Sequence, residues 1–196
     1  MAKKSSKKSG GLVLKAIVVL LGILAVCMTF LPFVNKTGYG TDLIGSGTVS
    51  LTGFQAAFGA TAVVDGSALP GWTYFGASKA TISGSSISYS LAPLGGVTAT
   101  IVIAIVALVI GLVSLAIKDK KICGIVLGVA GLLFITAGIM FFFPVQFGGF
   151  KSNVTEGFLG KAGVEYTLGV GAILSAIFSL IAGLVSVGAT AISFKK

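Results

Sequence analysis

Long apolar runs separated by short polar punctuation dominate this chain. Crossing a bilayer as a helix takes about 20 mostly apolar residues, and four runs qualify, at residues 12–33, 94–117, 122–143 and 167–194. The second contains TATIVIAIVALVIGLVSLAI without an ionisable group, and the first is interrupted only by Lys15, close to its start. Pro32, Pro93 and Pro144 each fall at the end or start of a run. Proline disfavours helical geometry in the residue before it and fits the first helical turn, so the three mark boundaries.

Between the first two runs the period changes. Residues 34–93 form a connection of about 60 residues, too long to be a simple linker. Val49 and Leu51 alternate with polar neighbours in GTVSLTGF, as do Ile87, Tyr89 and Leu91 in SSISYSLA, which predicts strands. Asp65-Gly66 and Pro70-Gly71 are turn signals, and a short helix is expected around Phe54 to Phe58. The expected fold is a membrane all-α four-helix bundle carrying a small extracytoplasmic antiparallel β-sheet built from the first outer loop. So small a sheet needs packing on the membrane domain or on a neighbouring subunit. Residues 144–166 read as a shorter, Gly- and Phe-rich outer loop, and residues 118–121 as a tight inner turn.

Charge orients the spans. The chain is 55% hydrophobic and only 10% charged, where soluble domains run near a quarter charged. All 14 basic residues are lysine, and there is no histidine. Lys3, Lys4, Lys7, Lys8 and Lys15 open the chain, Lys118, Lys120 and Lys121 lie in the inner turn, and Lys195 and Lys196 end it. Asp119 is the sole acid on that side. Lys36, Lys79, Lys151 and Lys161 on the other side are balanced by Asp42, Asp65, Glu156 and Glu165. The whole net charge of +9 therefore falls on one face, which the positive-inside rule assigns to the cytoplasm of a multi-pass plasma-membrane protein. The tail at residues 1–11 reads as a topology signal beside anionic lipid. Nucleic acid is not an expected partner, because the guanidinium fork favoured in such recognition is missing.

The first run is too long for a signal-peptide core of about 7–15 residues. Leu24-Ala25-Val26-Cys27 departs from a lipoprotein box at Val26, so this run is read as an anchor. Cys27 and Cys123 are expected to be small buried hydrophobes at different depths, unpaired.

Chemistry is sparse. Without histidine the usual base and metal ligand near neutral pH is gone. The two cysteines have no partners for a zinc site or a nucleophile pair. The four outer acids are widely spaced in sequence, and Gly45-Ser46-Gly47 is a turn rather than a phosphate loop. The interiors of the runs hold no ionisable group, which argues against coupled transport. No catalytic, cofactor-binding or metal residue is assigned, no cofactor is expected, and an enzyme is not expected. Asn35-Lys36-Thr37 and Asn153-Val154-Thr155 match the glycan acceptor pattern, which is short and frequent by chance.

Packing and surface residues are easier to name. Gly171, Ser175, Ser179 and Gly183 recur every fourth residue, as do Gly124 and Gly128. Small side chains at that spacing share a helix face and let backbones approach closely; packing within the chain is the default and contact between subunits the alternative. Phe141, Phe142, Phe143, Phe147, Phe150, Phe158 and Tyr166 give the outer side an aromatic rim. Such a rim sits at the headgroup level or forms a contact surface for a partner. Phe54, Phe58, Trp72, Phe147, Phe150 and Phe158 are the candidate partner surface.

Thr52-Gly53-Phe54-Gln55-Ala56-Ala57-Phe58-Gly59, soon after Leu31-Pro32-Phe33, resembles a pattern in uncharacterised small four-helix membrane proteins of Firmicutes and Mollicutes. That resemblance covers about a third of the chain and implies no activity. The topology also resembles that of claudin-type tetraspan proteins, with a large sheet-forming first loop and cytoplasmic termini. Their tryptophan-rich motif and cysteine pair are absent here, where Trp72 stands alone and no cysteine lies in the loop. The expected function is a structural, adhesion or accessory subunit that presents its outer sheet to other envelope proteins or to copies of itself. A small passive channel or transporter subunit is the alternative. The lipid bilayer is the expected environment.

Overall fold

The structure, a computed structural model, describes residues 6–39, 47–64, 79–83, 86–157 and 160–194. Four long apolar helices dominate it: α1 (Ser6–Cys27), α3 (Gly95–Ala116), α4 (Lys120–Met140) and α6 (Val170–Phe194). Each is long and apolar enough to cross a membrane, with candidate spans Gly11–Phe30, Gly95–Ala116, Lys120–Met140 and Val170–Phe194. The chain divides into two compact units. The first comprises Met1–Met28, Thr100–Phe142 and Leu174–Lys196, and the second Thr29–Ala99 and Phe143–Ile173.

In the first unit the helices meet around one buried cluster to which each contributes a residue: Val18 of α1, Ala107 of α3, Phe134 of α4 and Ala182 of α6. A single large ring surrounded by alanines and valine is a core built for close backbone approach. Leu21, Leu108, Leu133 and Val185 pack around that cluster, and Ile101 and Leu127 are buried, but many other large branched side chains point outward. Ala182 is fully buried, whereas Leu184, two residues on, is 66% exposed. Val109, Leu112, Ile125, Leu132, Ile177 and Ile181 are also exposed. A water-soluble bundle buries its large apolar residues; small inside and large outside suits helices surrounded by hydrocarbon, where packing rather than the hydrophobic effect holds them together.

Side chains cap the two helix ends that flank the turn between α3 and α4. Asp119 is the N-cap of α4, and its Oδ1 accepts from the amides of Lys121 at 2.8 Å and Ile122 at 3.1 Å. Lys15 Nζ donates to the carbonyls of Ser114 at 2.8 Å and Ile117 at 3.2 Å, at the end of α3. A cation there satisfies orphan carbonyls and complements the helix dipole.

Among the described residues the second unit holds seven strands: β1 (Pro32–Tyr39), β2 (Gly47–Thr52), β3 (Ala60–Val64), β4 (Lys79–Ser83), β5 (Ser86–Leu91), β6 (Asn153–Gly157) and β7 (Gly160–Leu168). Two short helices, α2 (Gly53–Phe58) and α5 (Pro144–Phe147), complete it. The strands form a four-stranded sheet ordered β2-β1-β7-β6 and a three-stranded sheet ordered β3-β5-β4, antiparallel throughout. Antiparallel sheet is therefore present as expected, but its origin is corrected. The larger sheet is not made by the first connection alone, since β1 pairs with β7 over Val34↔Leu168 to Tyr39↔Gly163. The reason is legible in β1: Phe33 and Val34 are buried, and β2 satisfies only one edge of the strand.

Helix limits shift accordingly. Pro32 and Phe33 belong to β1, and a 3-10 turn, Met28–Phe30, ends the first helix. Thr167 and Leu168 belong to β7 rather than to α6. Strand pairing takes these residues because the backbone polar groups of the expected helix ends gain ladder partners instead.

Candidate functional site

The segment Thr52 to Gly59 folds into a compact device. Thr52 caps α2, its Oγ1 accepting from Gln55 N at 3.2 Å while Gln55 Oε1 accepts from Thr52 N at 3.2 Å, a reciprocal capping box. Gly53, Ala56 and Ala57 are buried, and Phe54 and Phe58, one turn apart, are exposed. Gly59 ends the helix at φ +81, a left-handed conformation, and a Cβ there would sit 2.5 Å from the Leu91 carbonyl. The carbonyls at the end of α2 are taken by the entry to α3: Leu94 N donates to Ala56 O at 2.8 Å, and Thr98 Oγ1 to Ala57 O at 2.6 Å. Phe30 stacks on Phe54 with centroids 5.1 Å apart, and Phe54 lies 4.8 Å from Phe58. The segment is thus a capped fastening held at both ends, with an exposed aromatic face.

The four-stranded sheet carries a polar surface. Thr37 and Thr48 hydroxyls lie 3.1 Å apart across β1 and β2, and Ser50 Oγ donates to Asn35 Oδ1 at 2.9 Å, both pairs exposed. Tyr39 donates its hydroxyl to Glu165 Oε2 at 2.6 Å. That hydrogen bond, followed by desolvation and the Glu165 charge, raises the tyrosine pKa above its ordinary value. Lys161 meets Glu156 at 3.2 Å, and this partner holds its ammonium above the usual range. Ser152, Val154, Glu156, Lys161 and Glu165 line a shallow groove on β6 and β7. Both members of the Lys161–Glu156 pair are mostly exposed, so water screens it and it adds little to stability.

Phe150 stacks on Tyr166 at 4.9 Å, with Lys36 Nζ 5.8 Å from the Tyr166 ring centre. Phe147 pairs with Phe143 at 6.4 Å. Of the six candidate surface residues, Phe54 and Phe58 pack on each other, Phe147 and Phe150 meet different rings, and Trp72 and Phe158 lie outside the described residues. Phe30, missed because it lies within an apolar run, joins Phe54 and Phe58.

The small residues chosen for helix packing lie on several contacts. Gly124 and Gly128 of α4 face Ser193, Phe194 and Thr190 of α6, and Gly183 faces Ile135 and the Gly131 carbonyl. Gly171 is buried at the start of α6. Ser175 Oγ donates to Ala25 O of α1 at 2.9 Å, and Ser186 Oγ to Leu127 O of α4 at 2.7 Å. Ser179 Oγ, buried, has no hydrogen-bond partner among the described residues. Gly131 and Gly138, which the four-residue spacing from Gly124 and Gly128 passes over, also face α6. Cys123 is buried with Sγ 3.7 Å from Ser114 O, but Cys27 is exposed on α1, which corrects the expectation of two buried thiols. Ala25, two residues earlier on α1, is the buried position of that turn.

Among the described residues no three His, Cys, Asp or Glu side chains form a group able to hold a metal ion. No protein-family model matches this chain, and no curated protein matches its sequence.

Proposed function

We propose that this chain is a non-enzymatic, four-span plasma-membrane protein that presents a β platform outside the cell to envelope proteins or to further copies of itself. The observation that carries this reading is the pairing of β1 with β7. It joins the two connections that the lysine distribution assigns to the outside. A simple tether between spans has no use for a shared sheet, whereas a recognition surface needs a rigid one. The exposed Thr, Ser and Asn pairs of β1 and β2 and the polar groove of β6 and β7 supply hydrogen-bonding groups suited to a protein contact. Both termini are cytoplasmic in this arrangement, by the bias of ten lysines against one acid.

The test has two parts. With both native cysteines replaced by alanine, Thr48→Cys and Thr155→Cys should react with a membrane-impermeant maleimide on intact cells, and Lys118→Cys should react only after lysis. A photo-crosslinker at Thr48 or Thr155 should capture a discrete envelope protein or a second copy. Reaction of Lys118→Cys from outside would overturn the topology. A chain that captures nothing in native membranes, or that passes ions or small solutes in reconstituted vesicles, would overturn the platform role.

A further inference from the structure

The phenylalanines of α2 and α5 have no role in the proposed platform, and their attachment points locate them. Phe30 is the final residue of the first candidate span, Gly11–Phe30, and its ring stacks on Phe54 with only 19° between planes. The other end of α2 is fixed to the second span, Gly95–Ala116, through the carbonyls of Ala56 and Ala57. A helix held between the last residue of one span and the first turn of the next has one depth open to it, the boundary where hydrocarbon gives way to headgroups. The short helix α5 follows the third span directly. Its Phe147 packs so closely on Gly96, in the same first turn of α3, that a Cβ there would lie 2.6 Å from the Phe147 Cβ.

Five rings are exposed at these points: Phe30, Phe54 and Phe58 around α2, and Phe143 and Phe147 around α5. Neither short helix contains a charged residue. Apolar area of this kind facing water is costly, and a protein partner would have to meet it at the depth of the lipid headgroups. Continuity with the ends of the spans makes lipid the occupant. We infer that α2 and α5 are interfacial anchors, whose phenylalanines insert into the acyl-chain and headgroup boundary of the outer leaflet and fix the height of the strands that follow them. A helical face bearing Phe, Trp or Leu that lies buried in the headgroup and acyl boundary is a known mode of membrane attachment. This inference rests on the four helices spanning the bilayer.

Trp72 is the only tryptophan, so a Trp72→Phe chain gives a silent background. Into it single tryptophans are placed at Phe54, at Phe58, at Val109 on the exposed face of α3, and at Thr155 on β6. The full chain is reconstituted in phosphatidylcholine vesicles whose lipids carry bromine either near the carbonyl end or deep in the acyl chain. Phe54→Trp and Phe58→Trp should emit at shorter wavelength than Thr155→Trp and be quenched severalfold more strongly by the shallow bromine than by the deep one. Val109→Trp should respond to the deep bromine. If Val109→Trp is quenched and both α2 positions are not, the anchor is overturned while the spans stand. In that case access of aqueous iodide places the rings in water, and its exclusion places them under protein. If Val109→Trp itself escapes the deep quencher, the spans and the anchor fall together.

Discussion

At the scale of single residues, the α4–α6 contact separates two kinds of membrane packing. A Cβ on Gly183 would meet backbone, the Gly131 carbonyl at 2.9 Å and Ile135 N at 3.0 Å, and backbone cannot turn aside as a side chain does. Gly183→Val should therefore cost about 1–3 kcal/mol, the usual penalty of overpacking, read from unfolding in mixed micelles. Gly188 has nothing within 4 Å of its Cβ position, so Gly188→Ala should leave stability unchanged or raise it slightly through helix propensity. Interhelical hydrogen bonds are weaker determinants. Ser186→Ala, which removes the bond to Leu127 O, should cost only about 0.6 kcal/mol. Ser179→Ala deletes a buried hydroxyl that has no partner and should be neutral or stabilising in the same assay.

Tyr39 supplies a pH prediction. Its hydroxyl donates to Glu165, so the neutral form is favoured and the folded pKa lies above the ordinary value near 10. The folded sheet thus binds this proton more tightly than the unfolded chain. The contribution is complete below the unfolded pKa and is lost as pH rises through the folded one. Glu165→Gln should bring the Tyr39 titration back toward the ordinary value, followed by NMR of labelled tyrosine with Tyr39→Phe for assignment. An unchanged titration would show that Glu165 is not the cause.

At the scale of elements, caps decide where short helices sit. The capping box of α2 satisfies donors that a six-residue helix cannot satisfy internally, and Thr52→Ala should cost about 1 kcal/mol of stability. Its effect should be local, loosening amide protection at residues 53–58 before that of the long helices, as hydrogen exchange would report. Lys15 performs the matching task at the end of α3, bridging the Ser114 carbonyl and that of Ile117, the residue after the helix. Lys15→Met keeps the stem but removes the donor, and should destabilise the bundle by about 1.5–3 kcal/mol, the range for hydrogen bonds involving charged groups. A loss well below that range would mean that water satisfies those carbonyls equally well.

At the scale of the whole molecule, the shared four-stranded sheet makes two distant parts of the sequence one folding unit. β1 and β7 are its central strands and β2 and β6 its edges. Hydrogen exchange in nanodiscs should show β1 and β7 protected together, with β2 and β6 exchanging first. Lys36→Pro interrupts β1 opposite both Val49 and Tyr166. It should release protection in β7 as well as in β2, although β7 lies more than a hundred residues away in sequence. If β7 stayed protected, the sheet would be two independent hairpins.

The four apolar helices were legible in the sequence because helix formation in an apolar run is local: length, absence of charge and flanking proline are enough. The strands around Val49 and Tyr89 and the helix at Phe54 were legible for the same reason, from alternation and spacing. β7 also alternates, in Val164, Tyr166 and Leu168, but its Gly-rich start reads as outer loop and its last two residues, Thr167 and Leu168, run straight into the fourth apolar run. The partner of β1 could not be read at all, since strand pairing is a choice among edges that alternation leaves open. The ring partners were equally hidden: Phe54, Phe58, Phe147 and Phe150 were identified as aromatics, yet only the fold shows which ring each of them meets. By itself the sequence determined the helices, the charge asymmetry and the small-residue faces, because each depends on residues close together along the chain. Only the tertiary structure decided that β1 joins β7, that Gly131 meets Gly183, and that Phe30 lies on Phe54, because these contacts follow from which surfaces remain unsatisfied once the local elements have formed.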